Sequence, residues 1–247
     1  MNWQIIIGLI AGLAFFSPAI IILAYRLIRN KYFAALVIYL LLAFISNLIS
    51  SDILILPRDV VRTYGIINNL LDVPLMMIFL MFFSMTAALR NRMKMLLGLY
   101  IGFELVIVYM KGLQVLTITV VMGPGLLMVF GFTLYFFAQS VKKSFLHDKF
   151  ISRAIMASAL CFGYGCFIFI YLMHYIMAVK GIPEIYLLFY IVITIFGAVL
   201  SAGLVFEGKR KKLQKELLIT RRELLHFFAE EKKPVISKEI TGQLKLN

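Results

Sequence analysis

Seven apolar blocks of about 20 residues run along this chain, and the short stretches between them together with the C-terminal tail hold most of the charge. A helix rises about 1.5 Å per residue, so a block of this length matches the roughly 30 Å hydrocarbon core of a bilayer. The blocks read as spans at 3–26, 33–56, 65–89, 95–117, 118–141, 154–178 and 185–206. Between the fourth and fifth, only Gly112 and Gln114 offer a break, and a re-entrant region there would leave six. The first block starts almost at Met1, has no positive n-region and is too long for a signal-peptide core, so it is expected to stay as the first span. The fold class expected is an all-α, polytopic seven-transmembrane-helix bundle.

Composition excludes the soluble alternative. The 247 residues are 62% hydrophobic and only 15% charged, whereas a soluble domain carries about 25% charge. The net charge of +13 would point to nucleic acid in a soluble protein, but here the cations sit in loops and tail. There they orient the chain and touch anionic lipid heads, and no nucleic-acid partner is expected. Cys161 and Cys166 lie five apart, off a common helix face, so neither a disulfide nor a CxxC site is indicated.

Lysine and arginine set the orientation. Arg26, Arg29, Lys31, Arg90, Arg92, Lys94, Lys142, Lys143, Lys149 and Arg153 fall on one side, against Arg58, Arg62, Lys111 and Lys180 on the other. Ten against four places the first side in the cytoplasm and the N-terminus outside, and eleven more cations in the tail join the cytoplasmic set. The organisation expected is therefore a transmembrane domain, 1–206, and a basic cytoplasmic tail, 207–247. In the tail Leu213, Leu217, Leu224 and Leu225 recur at roughly helical spacing among charges, up to Pro234. This reads as an amphipathic helix on the inner membrane surface or against a cytoplasmic protein partner, or as a solvated continuation of helix seven. The localisation expected is multi-pass, in the bacterial inner (plasma) membrane.

Ionisable groups inside a span are costly, which makes each a functional candidate. Asp52, Asp72, Glu104, Lys111 and His174 all fall in the outer half or at mid-depth. Asn68 and Asp72 share a face of helix three, as Asn47 and Ser51 do on helix two, and Glu104 and Lys111 on helix four. Tyr164, Tyr171 and Tyr175 form a stripe on helix six; Tyr186, Tyr190, Thr194, Gly197 and Ser201 form one on helix seven. These residues either line a polar pocket open to the outside or bond helix to helix as packing glue. The charges among them favour the pocket, with Asp52, Asn68, Asp72, Glu104, Lys111, Tyr164, Tyr171, His174 and Tyr190 as its ligand-binding residues. Three acids against one lysine lean towards a cationic or hydrogen-bond-donating ligand.

Enzymatic readings find little support. A zinc hydrolase needs several histidines where the spans hold only His174, no nucleophile turn is evident, and Asp52 with Asp72 carries no aspartyl-protease motif.

Helix three reads Asn68-Asn69-Leu70-Leu71-Asp72-Val73-Pro74-Leu75. This stretch resembles the third-helix D-W-L-L-T-T-P-L of microbial (type 1) rhodopsins, with Asn68 on the counter-ion aspartate, Asp72 on the first threonine and Pro74 on the proline. Lys31-Tyr32-Phe33-Ala34-Ala35 resembles the family's second-helix opening K-F-Y-A, Glu104 falls where pumps often carry an acid, and Tyr164 matches the sixth-helix tyrosine of the retinal pocket. The resemblance covers 1–210 and implies a seven-helix scaffold around a ligand cavity. The chain departs from the family where retinal attaches: residues 185–206 contain no lysine, Gly197 or a neighbour stands at that position, Asn68 takes no proton, and the only tryptophan is Trp3. No covalent retinal or other cofactor is expected, though a non-covalent lipid or apolar ligand fits the scaffold.

The function expected is that of a sensor or receptor-like module whose outer pocket takes a small ligand and signals to the tail. The alternatives are a small-solute or ion transporter or channel, and an accessory subunit of a larger complex. Few polar residues continue towards the cytoplasm, and no inverted repeat is visible, which disfavours transport. Gly163, Gly165, Gly197 and Gly203 suit packing within one bundle or between copies, leaving a homo-oligomer open.

Overall fold

The computed structural model describes residues 3–50, 53–145, 150–173 and 183–231, and among them there is no strand. The helices are α1 (Trp3–Ala24), α2 (Lys31–Ser50), α3 (Arg58–Leu80), α4 (Ala87–Lys111), α5 (Val115–Ser144), α6 (Ile151–Tyr171) and α7 (Pro183–Glu231). Among the described residues seven helices are long and apolar enough to cross a membrane. The chain forms two compact units, Met1–Gly208 and Lys209–Asn247.

Helix ends follow local chemistry. Arg26, in the left-handed region at φ 53°, closes α1 and leads into a 3₁₀ turn at Leu27–Arg29. Pro57 precedes α3, and the Thr86 hydroxyl accepts from Leu89 N to cap α4. Gly112 ends α4 at φ +70°, a conformation that a side chain strains, and α5 starts three residues later. Spans four and five are thus separate helices, and the six-span alternative falls away.

Several boundaries differ from the hydropathy reading: α3 starts at Arg58, α4 ends at Lys111 and α7 runs on to Glu231, against the expected 65, 117 and 206. The third span was expected to reach residue 89, yet α3 stops at Leu80 and a link at 81–86 turns the chain. Apolar residues run through that link because Phe82 packs on Phe33 (4.7 Å between ring centres) and Phe83 on Phe136 (5.8 Å). They are buried by protein, so hydropathy could not separate them from a lipid-facing helix. Helix α4 correspondingly begins at Ala87 and holds Arg90, Arg92 and Lys94 in its first turns.

The first unit is a bundle whose core runs along the facing stripes of its helices. Helix α7 closes it against α1 and α6. Gly197 lies on the Ala14 backbone so closely that a Cβ there would overlap the Ala14 carbonyl oxygen. Four residues on, the Ser17 and Ser201 hydroxyls bond at 2.6 Å. Towards the end where α6 begins, Ser152 donates to the fully buried Glu207 carboxylate at 2.8 Å. The outer faces are apolar: on α4, Met95, Leu99 and Leu105 are each more than 60% exposed. In water such a band would be a liability; in a bilayer it meets acyl chains.

In the second unit the described residues are helical, and Leu213, Leu217, Leu224 and Leu225 are all exposed, as are most of the charged residues between them.

Candidate functional site

Five helices and α1 leave a partly open cavity of about 400 Å³ in the half of the bundle where α2 ends and α3, α5 and α7 begin. That volume is within the range of small-molecule sites, about 300–1,000 Å³. From α2 come Tyr39, Ala43, Ser46 and Asn47, a run at helical spacing that puts them on one face. From α3 come Asn68, Asn69 and Asp72; the Asn69 amide also donates back to the Gly65 carbonyl at 2.8 Å. The remaining wall is apolar and aromatic: Phe15, Met122, Leu126, Phe167, Ile170, Tyr171, Phe189, Tyr190 and Ile193.

Asp72 marks the inner part of this space. The Tyr164 hydroxyl, fully buried on α6, donates to its Oδ1 at 2.9 Å, and the buried Tyr39 hydroxyl stands beside the same pair. No cationic side chain pairs with Asp72 among the described residues, and none lines the cavity. A carboxylate held in apolar surroundings without a counter-charge is costly, and a cation brought by a ligand offsets that cost. The amides of Asn47, Asn68 and Asn69 each offer both donors and acceptors. The aromatic faces suit an ammonium or an apolar ring. At the rim Tyr171 donates to the Thr119 carbonyl at 2.5 Å, so its hydroxyl braces α6 on α5.

Of the residues the sequence suggested, Asn68, Asp72, Tyr171 and Tyr190 line the cavity, and Tyr164 supports it through Asp72. Glu104 is buried on α4 but does not line it, and Lys111 is exposed at the C-terminal end of α4. Asp52 and His174 lie outside the described residues. No residue of α4 lines the cavity, so depth along its axis did not predict proximity: Glu104 is buried elsewhere in the bundle, and Lys111 faces outward. Sequence reasoning passed over Phe15, Tyr39, Phe167 and Phe189. Tyr39 was the most detectable, standing eight residues before Asn47 on one helix face.

On the opposite side of the cavity the bundle is filled. Phe33, Phe79, Phe82, Phe83 and Phe136 interlock, Phe79 meeting Phe33 at 5.8 Å and Phe83 at 5.6 Å. Among the described residues the bundle is therefore closed by side chains at the end away from the cavity.

Fold and site together define a seven-helix integral membrane protein with a carboxylate-bearing cavity. No family model matches the chain, and neither a curated protein nor a solved structure matches it.

Proposed function

We propose that this protein is a receptor-like membrane sensor whose cavity binds a small molecule carrying a cationic amine and an apolar body. One observation carries the reading: Asp72 lines a partly open cavity with a tyrosine donor but no cationic partner among the described residues. The ammonium pairs with Asp72, aromatic walls at Phe15, Phe167 and Tyr190 take the apolar part, and the asparagine amides read polar substituents. The resemblance of helix three to microbial rhodopsins belongs to the same proposal. Asn68 and Asp72, the two residues that fall on functional positions of that stretch, both line the cavity. In this reading the scaffold holds a free ligand where a rhodopsin holds a covalent one, and the lysine and arginine distribution turns the cavity outward.

The aromatic plug favours sensing over transport, since a carrier needs access from both ends. The test is binding of a panel of alkyl and aryl amines to the purified protein by isothermal titration. Saturable binding lost in Asp72→Asn is expected. Saturable uptake of the same amines into proteoliposomes would overturn the sensor assignment, and absence of binding across the panel would overturn the ligand class.

A further inference from the structure

We propose that a groove between the first turns of α4 and the last turns of α5 binds the phosphate of an anionic phospholipid. This site is at the other end of the bundle and does not depend on the amine cavity. The groove has a volume of about 250 Å³ and is lined by Met85, Thr86, Leu89, Arg92, Tyr135 and Gln139. Tyr135, Gln139 and Lys143 follow one another at four-residue spacing on α5, so Lys143 continues the same face.

The charge at this groove lacks a counter-charge. The Lys143 ammonium donates to the Met85 thioether at 2.7 Å, a neutral and weak acceptor. Arg92 lines the groove; Arg90 does not, its guanidinium reaching the Ser84 carbonyl at 3.3 Å and standing over the Tyr32 ring of α2. Among the described residues no carboxylate pairs with Arg90, Arg92 or Lys143. Residues 81–103 contain no acid at all, and Asp148, the acid nearest to Lys143 in sequence, lies outside the described residues. The α4 N-terminus adds backbone donors, because first-turn amides have no acceptor within their helix and the Thr86 hydroxyl caps only Leu89 N. Cations, oriented amides and a cavity together fit a phosphate oxyanion.

The surroundings assign the phosphate to a lipid. One to two turns further along the same helices, Met95, Leu99 and Leu134 are exposed and apolar. Met95 and Leu99, three and seven residues past Arg92, continue its face of α4 as exposed apolar surface suited to acyl chains, and Tyr135, which lines the groove, is half exposed. A headgroup phosphate in the groove leaves its chains on this apolar surface; a free anion uses none of it.

The test measures binding to the full-length protein in detergent by native mass spectrometry and thermal unfolding, with dioleoyl phosphatidylglycerol, dioleoyl phosphatidylcholine and inorganic phosphate as probes. Phosphatidylglycerol is expected to bind and raise the unfolding midpoint more than phosphatidylcholine. Arg92→Gln and Lys143→Gln are each expected to weaken that binding about fivefold, the equivalent of about 1 kcal/mol per cation at an anionic surface. Arg92→Lys restores most of the binding, and Lys94→Gln, an exposed α4 cation that does not line the groove, leaves it unchanged. Equal binding of the two lipids overturns the proposal. So does an equal loss in Lys94→Gln, which marks diffuse attraction, or an equal midpoint shift with inorganic phosphate alone, which marks a free anion.

Discussion

The Tyr164 hydroxyl on α6 donates a hydrogen bond to Oδ1 of Asp72 on α3, at 2.9 Å, at the cavity wall. The bond ties together two helices far apart in sequence and leaves the second carboxylate oxygen for other partners. A tyrosine donor supports the charge without neutralising it. The pair therefore combines a structural role, holding α3 to α6, with a chemical one, fixing a carboxyl group at the cavity wall.

Two substitutions separate those roles. Asp72→Asn keeps an acceptor for Tyr164 and removes the charge, so amine affinity should fall roughly tenfold to a hundredfold, the worth of a charge-assisted hydrogen bond. Its unfolding midpoint should stay near that of the parent. Tyr164→Phe instead leaves the carboxylate one donor short and should cost about 1–3 kcal/mol of stability. Titration calorimetry and thermal unfolding of the same preparations check both. Equal amine affinity in Asp72→Asn and the parent would remove Asp72 from the site.

The seam between α1 and α7 gives a second prediction. Alanine at 197 would press its Cβ into the Ala14 carbonyl, which is backbone and cannot swing aside. Gly197→Ala should therefore destabilise by about 1–3 kcal/mol, as overpacking does. Gly131→Ala is the control, because a Cβ there meets nothing within 4 Å. Glycine's entropic penalty then dominates, and that change should stabilise by about 0.5–1 kcal/mol. Thermal unfolding in detergent should move the two variants in opposite directions.

These features differ in how readily they were legible. The helices were, because lipid imposes one length and one polarity on every span. Asp72 and Asn68 were, since a charge or an amide at that depth needs a reason. Phe15, Phe167 and Phe189 were not: an aromatic facing a cavity has the same local sequence signature as one facing lipid. Lys111 and Glu104 show the converse. Their place along α4 was readable, but where α4 stands in the bundle, away from the cavity, comes from packing with other helices. The close approach at Gly197 was equally hidden, as the residue type allows contact without naming the partner.

Retinal gives a third prediction. No lysine occurs at 185–206, and none lines the cavity among the described residues. A Schiff base needs that amine, so retinal added to the purified protein should produce no red-shifted band that survives washing. Non-covalent retinal would be extracted by detergent and leave the free-aldehyde spectrum. A stable visible band, bleached by hydroxylamine, would show that a lysine elsewhere reaches the chromophore.

Orientation is the fourth, and the amine reading depends on it. The cavity lies at the end where α4 finishes and α5 begins; the groove at Arg92 and Lys143 lies at the other. The lysine and arginine excess at the second end predicts that it faces the cytoplasm. Single cysteines at Leu113, exposed in the α4–α5 link, and at Phe145, 85% exposed after α5, report on the two ends. In a background with Cys161 and Cys166 replaced, a membrane-impermeant maleimide on intact cells should label position 113 and spare position 145 until the membrane is permeabilised. The reverse pattern would turn the Asp72 cavity towards the cytoplasm and make its ligand an intracellular amine. It would also put the phosphate groove in the outer leaflet, so one labelling experiment fixes the membrane side of both sites.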